Sequence, residues 1–294
     1  MEECRLARTK SPDDALVLGE CAFALLCNGQ WEEALAWLER ARTIDPRAPI
    51  SARRLTYTLL WLRRYPEALG AADRALALAP RSLQNIEQKA MVQLARGDMP
   101  AARAVLRAAE GDVDPRDLAA FVASTFDLFW ALDDEQQQGL LRTTPVAFDG
   151  DRLAWGLALA QTAELRGDLA RSRELAEQAR RAARAQLADA PGDAQRQVLL
   201  ALALALLGRH GEAVREGERA VALRPLSRDA YIGAYLQLQM ARIYRRAGKP
   251  DEAIALLEQL LVVPCYLSPA WLRIDPEWKS LRDHPRFKKL ASTS

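Results

Sequence analysis

Gly29-Gln30-Trp31-Glu32-Glu33-Ala34 is the stretch that decides the fold, because similar stretches return at a constant interval. The next two are Arg63-Arg64-Tyr65-Pro66-Glu67-Ala68 and Gly97-Asp98-Met99-Pro100-Ala101-Ala102, and Ala34, Ala68 and Ala102 lie 34 residues apart. A second alanine follows at the same interval, at Ala41, Ala75 and Ala109. A turn followed by a helix with small residues at fixed positions therefore repeats along the chain, which indicates an array of short helical units.

Proline closes the first two units, at Pro46 and Pro80, and Pro115 follows the third. Alanine lets two helix axes approach closely, a glycine or polar residue serves the turn, and proline ends the second helix. Together these positions resemble the tetratricopeptide repeat, whose units are paired antiparallel helices. The large aromatic residue near the start of that family's first helix is replaced by Leu18, so the similarity lies in the small residues and the turns.

The pattern continues imperfectly from Ala15 to Pro264, in about seven units. One unit is degenerate, because it has Gln136 where a small residue is expected and an aromatic-rich first helix that extends through Trp130. In the following unit the second helix is expected to run on to about Ala190. The sequence therefore predicts an all-α tetratricopeptide-repeat superhelical solenoid of about seven helix pairs, with a C-terminal cap.

Interruptions in the pattern predict how the chain is divided. The predicted parts are an N-terminal array over 1–143 (regular repeats about 15–116, degenerate repeat 117–143), a hinge loop over 144–152, a C-terminal array over 153–264 and a capping segment over 265–294. The alternative to a hinge is a longer turn between repeats. In the capping segment, Trp271, Trp278, Phe287 and Leu290 are expected to cover the exposed end of the last repeat.

Composition excludes several classes of function. The chain has 294 residues, and its 41 Lys and Arg nearly balance 39 Asp and Glu, so no strong attraction to nucleic acid or anionic lipid is expected. Met1–Lys10 does not read as a signal peptide, and the most apolar run, Val198–Leu207, is shorter than the roughly 20 residues that span a bilayer. The four cysteines favour free thiols over disulfides, so we expect a cytoplasmic protein without membrane insertion.

Catalytic and metal-binding patterns are not found in the sequence. His210 lies in a repeat turn and His284 before a proline in the cap, where surface or capping roles are expected. The pair Asp133-Asp134 is interpreted as a helix start rather than a metal site, and the cysteines lack zinc-ligand spacing. The sequence thus predicts neither an enzyme nor a metal or cofactor site.

The resemblance implies that the first helix of each unit lines a concave groove. The positions that match the groove positions of the family are Phe23, Leu26, Arg53, Tyr57, Leu60, Trp61, Met91 and Leu94. The Lys and Asn with which some repeats hold a C-terminal carboxylate are replaced here by Gly19 and Phe23, so an apolar and aromatic trough for a helix or extended peptide is expected. The alternative is that these side chains pack against neighbouring repeats.

Two further features bear on function. Arg242, Arg245 and Arg246 lie on the first helix of the last repeat and suggest a site for an acidic or phosphorylated partner. The stretch Tyr266–Pro276 resembles the end of repeat regions behind bacterial serine/threonine kinase or nucleotide-cyclase domains.

The predicted function is a non-catalytic scaffold that binds a protein or peptide. The alternative is a regulatory module of a larger bacterial signalling enzyme that senses a peptide or small ligand.

Overall fold

A computed structural model describes residues 2–11 and 13–292, and within them it contains seventeen α-helices, two short 3-10 helices and no β-strand. The α-helices are α1 (Glu2–Lys10), α2 (Ala15–Cys27), α3 (Trp31–Ile44), α4 (Pro49–Trp61), α5 (Tyr65–Leu78), α6 (Leu83–Ala95), α7 (Met99–Ala109), α8 (Pro115–Thr125), α9 (Asp134–Leu140), α10 (Arg152–Leu165), α11 (Leu169–Asp189), α12 (Ala194–Leu206), α13 (His210–Leu223), α14 (Ile232–Arg246), α15 (Pro250–Val262), α16 (Pro269–Ile274) and α17 (Pro285–Ser292). The 3-10 helices cover Pro145–Phe148 and Pro276–Leu281. The prediction of an all-α fold is confirmed.

Helices α2 to α15 form seven consecutive pairs, from α2–α3 to α14–α15, as the repeat spacing predicts. Ala34, Ala68 and Ala102 are fully buried where the helices of a pair cross, since a methyl group is small enough for close axial approach. The turn within a pair needs a residue with positive φ. Glycine supplies it in most units, whereas Arg63 does so in the second unit, with φ 60°.

The degenerate fourth unit differs from its prediction. Helix α8 ends at Thr125, so Phe129 and Trp130 lie after the helix and not within it. Asp127 takes a left-handed conformation with φ 55°, which ends helical geometry at this point. Its buried side chain binds residues of α14, and this tertiary contact outweighs the helical propensity of the segment. The extended helix of the next unit is confirmed, because α11 ends at Asp189.

The superhelix closes on itself, which the repeat pattern did not reveal. The Ala230 amide donates to the carbonyl oxygen of Cys27 at 2.8 Å, and the Cys265 amide donates to that of Trp61 at 3.1 Å. The Ser268 hydroxyl donates to the carbonyl oxygen of Ala95 at 2.5 Å. These bonds connect the ends of α2, α4 and α6 with the last repeat and the segment after it. The C-terminal part of the chain thus fills much of the inner groove of the first three repeats.

The tail after α15 covers two surfaces instead of one. Phe287 on α17 is buried and α17 packs on α15, as expected of a cap on the last repeat. Helix α16 packs on α6 instead, and its Trp271 contacts Trp130 edge-to-face at 5.7 Å between ring centroids. Trp278 is also fully buried. The tail is therefore part of the inner core as well as an end cap. The hinge over 144–152 remains a prediction.

Removal of residues 268–294 should lower the melting temperature and cause aggregation, because it uncovers the apolar faces of both α6 and α15. Circular dichroism during heating and size-exclusion chromatography measure the two effects. Removal of residues 1–10 is the control, because α1 makes its main packing contact with α2 at the N-terminal end of the array and should matter much less. Equal melting temperatures for the 268–294 deletion and the full chain would show that the tail contributes no packing.

Candidate functional site

The predicted groove residues fall into two groups. The first group is fully buried beneath the segment that follows α15, and it consists of Leu60, Trp61, Met91 and Leu94. Trp61 stacks between the rings of Trp31 and Tyr231, with centroid distances of 4.8 and 5.2 Å. Tyr266 meets the edge of the same indole at 5.7 Å. In this conformation these four residues belong to the core, and their role as a binding surface remains a prediction.

The other group lines a cavity of about 290 Å³ that stays open at the N-terminal end of the groove. The cavity is bounded by Phe23, Leu26, Arg53, Arg54, Tyr57, Gln84, Glu87, Gln88, Thr125, Phe126 and Tyr231. Four of these residues were predicted to lie in the groove: Phe23, Leu26, Arg53 and Tyr57. Phe23 remains 39% exposed, which is unusual for a phenylalanine on an inner surface.

Aromatic rings form one side of this cavity. The ring of Tyr231 lies 5.5 Å from that of Phe23 and 5.1 Å from that of Tyr57. Phe126 completes the cluster, 6.4 Å from Tyr57. Rings at such distances pack favourably and hold each other in fixed orientations. The cavity therefore has a rigid apolar side onto which a ligand can pack.

Polar groups line the same cavity. Arg54 pairs with Glu20 at 2.9 Å and lies over the ring of Phe23, while Arg53 donates to Gln84 at 3.3 Å. Glu87 is buried, and this burial raises the pKa of its carboxyl well above the ordinary value. Within the described part of the chain, its Oε1 atom has no hydrogen-bond partner. An unpaired buried carboxyl costs free energy, so a ligand that pairs with it gains affinity.

A second polar cluster lies where the superhelix closes. The guanidinium group of Arg242 is buried between Asp127 and Asp275, at nitrogen–oxygen distances of 3.3 and 3.8 Å. The hydroxyl of Tyr235 and the amide of Gln239 also donate to Asp127, at 3.2 and 2.7 Å. Burial raises the pKa of Asp127 above its ordinary value and that of Asp275 to about 6, although the nearby Arg242 opposes both shifts.

The three arginines predicted to bind an acidic partner are paired within the chain. Arg246 makes a bidentate pair with Glu164 at 2.7 Å and also reaches Glu277, to which Arg245 donates as well. Carboxylates of this chain therefore neutralise these guanidinium groups, although the Nε atoms of Arg242 and Arg245 have no hydrogen-bond partner among the described residues. Binding of an external acidic partner here stays a prediction, and it would require exchange of these internal partners.

The repeat pattern did not identify three residues of these sites, Glu87, Asp127 and Tyr231. Glu87 is the fifth residue of the third unit's first helix, in the same register as Gly19 and Arg53, so the repeat count could have placed it in the groove. Asp127 is a lone acid in the aromatic run Phe126–Trp130, a pattern that suggests a buried ion pair. No pattern pointed to Tyr231 as part of the same cavity, because its position depends on closure of the superhelix.

Tetratricopeptide-repeat family models match residues 15–40, 88–108, 194–216 and 236–264. The matches fall on the pairs α2–α3, α6–α7, α12–α13 and α14–α15. With seven helix pairs at this spacing, the fold is an all-α tetratricopeptide-repeat superhelix. Proteins of this fold typically act as non-catalytic interaction modules.

Solved structures with a similar fold have low sequence identity. A chain of the Cut9–Hcn1 hetero-tetramer of APC/C is 13% identical with a TM-score of 0.45, and the match covers 98% of this chain and 44% of that one. A tetratricopeptide-repeat protein from Parabacteroides merdae is 14% identical with a TM-score of 0.44. The match covers 94% of this chain and 97% of that one. YrrB, a tetratricopeptide-repeat protein described as having an unusual peptide-binding site, is 16% identical with a TM-score of 0.34. The match covers 76% of this chain and 92% of that one. This chain thus spans less than half of the Cut9–Hcn1 chain that it matches.

These similarities are too distant to carry an argument about function, and no curated protein matches the sequence. Among the helices in the described residues, none has the length and apolar character required to cross a membrane. The same residues hold no group of three or more His, Cys, Asp or Glu side chains placed to bind a metal ion.

The Glu277 carboxylate should make the free energy of unfolding depend on pH in the acidic range. Burial raises its pKa, but Arg246, Arg245 and Arg242 outweigh burial and lower the pKa from 4.5 to about 2. A depressed folded pKa stabilises the protein above pH 4.5, and this contribution is lost as the pH falls toward 2. The loss amounts to about 3 kcal/mol.

Urea unfolding at several pH values measures this effect. The free energy of unfolding should fall between pH 4.5 and pH 2 in both proteins. The fall should be about 3 kcal/mol smaller in the Glu277→Gln variant than in the parent. Glu174→Gln is the control, since Glu174 is exposed on α11, and its curve should follow that of the parent. Parallel curves for Glu277→Gln and the parent would rule out this ion-pair network as a source of acid sensitivity.

Proposed function

We propose that this protein is an interaction scaffold that binds a segment of another protein in the open cavity at the N-terminal end of its groove. The binding role is non-catalytic. The observation that carries the proposal is that this cavity stays open in a groove whose middle the chain fills with its own side chains. It is lined by Phe23, Leu26, Arg53 and Tyr57, which the repeat register assigns to the inner surface.

The lining suits a short peptide better than a long helix. An apolar side with Phe23 and Tyr57 offers a surface for one anchoring side chain, and Arg53 with Gln84 offers hydrogen bonds at the rim. Buried aromatic anchors and arginines are the residue types that carry most binding energy in interfaces. A helix along the whole groove would collide with Tyr266 and Trp271, which already occupy its middle.

A second candidate is a regulatory module of a larger bacterial signalling enzyme. One observation favours it, namely that the chain's own segment after α15 occupies the groove through the bonds of Cys265 and Ser268. A partner that displaces this segment would expose Trp61 and Leu94 and so pass a signal along the chain. For either candidate we propose a cytoplasmic location, in line with the four free cysteines.

Peptides selected from a random display library on the purified protein provide a direct test. Replacement of Phe23 and Arg53 by alanine should weaken the selected peptides about tenfold or more, because an aromatic anchor and a charged donor are lost together. Calorimetry measures the affinity, and circular dichroism checks that the helical content is unchanged.

The matched control replaces Leu169 and Arg173 by alanine, since both are exposed on α11, far along the chain from the cavity. This variant should bind the selected peptides as the parent does. Full affinity of the Phe23 and Arg53 double variant would refute the proposed site, and an equal loss in both variants would show that binding does not depend on the cavity.

A further inference from the structure

Glu87 is the most unusual residue of the open cavity. It lies on α6, is only 1% exposed, and its Oε1 atom finds no hydrogen-bond partner in the described part of the chain. The neighbouring Gln88, 9% exposed, also has an unpartnered oxygen, its Oε1. Both residues line the open cavity, and neither oxygen has a hydrogen-bond partner among the described residues. A ligand in the cavity can supply that partner.

The rings around these acceptors indicate which donor fits. Phe23, Tyr57, Phe126 and Tyr231 line the same cavity. The faces of aromatic rings carry negative charge density and attract cations, more strongly when water is excluded. A carboxyl group beside a cluster of rings is therefore suited to a positively charged group on an apolar stem.

The charged groups near Glu87 are compatible with a cation at this position. Asp127, the charged group that most affects Glu87, is negative and opposes its ionisation. On the neighbouring helix α4, Arg54 pairs with Glu20 through Nη2, whereas its Nη1 atom has no hydrogen-bond partner among the described residues. Arg53 is half-buried, has no acidic partner among the described ion pairs, and donates to the exposed Gln84 at the rim. The cavity thus has an acceptor at its base and an uncompensated positive charge at its mouth.

We propose that the cavity receives a lysine side chain of the partner segment, whose ammonium group binds Glu87 while an acidic neighbour in that segment pairs with Arg53. The inference rests on the proposed function, since it names the chemistry of the bound segment. The lysine stem would lie along the aromatic rings, as long cationic side chains commonly do on apolar surfaces. The bound ammonium would favour the ionised form of Glu87.

Four blocked amino acids test the proposal: the Nα-acetyl N-methylamides of lysine, Nε-acetyl-lysine, norleucine and glutamate. Titrations followed by NMR on the full chain give their affinities. The lysine probe should bind at least about tenfold more tightly than the norleucine and Nε-acetyl-lysine probes, because only its charged donor can pair with Glu87.

Glu87→Gln should remove this preference, and since glutamine has nearly the same shape, the fold should be kept. Glu174→Gln, on the exposed face of α11, should leave the preference intact. Equal affinities of the lysine and norleucine probes, tighter binding of the glutamate probe, or no binding of the lysine probe at millimolar concentration would each overturn the proposal. If selected peptides still depend on Phe23 and Arg53 in that case, the proposed binding function stands and only the lysine assignment fails.

Discussion

The buried guanidinium group of Arg242 is the constraint on which the closed form of the superhelix depends. A charge removed from water needs nearby opposite charges, and its two carboxylates come from the middle of the chain, Asp127, and from near its C-terminal end, Asp275. Asp127 takes a left-handed conformation just after α8 ends, and Asp275 caps the start of the 3-10 helix Pro276–Leu281. The ion pairs form only where closure brings these three segments together.

Closure changes what the inner surface can do. In an open repeat array the first helices of all units would form one continuous groove, whereas here Tyr266 and Trp271 fill its middle and bury Trp61. At the N-terminal end, a small cavity with aromatic rings and an unpaired acid, Glu87, stays open. The same packing that stabilises the fold thus selects which part of the groove is left for a partner.

Local features of the fold follow from the sequence, because buried alanines such as Ala34 and Ala68 set the helix pairs at a fixed interval. The inner register was also readable, since Phe23 and Tyr57 do line the cavity. The position of Tyr231 beside them was not, as it depends on how small rotations between repeats add up over the whole array. A periodic pattern specifies contacts between neighbouring units and says little about contacts two hundred residues apart.

The C-terminal part of the chain is bound inside the groove of the first three repeats, and amide hydrogen exchange tests this closure most directly. The amides of Ala230 and Cys265 donate to the carbonyl oxygens of Cys27 and Trp61. Both lie outside regular helices, so their protection depends on closure. The closed superhelix predicts exchange as slow as that of the amides within α14. Exchange at the rate of an exposed loop amide would contradict it.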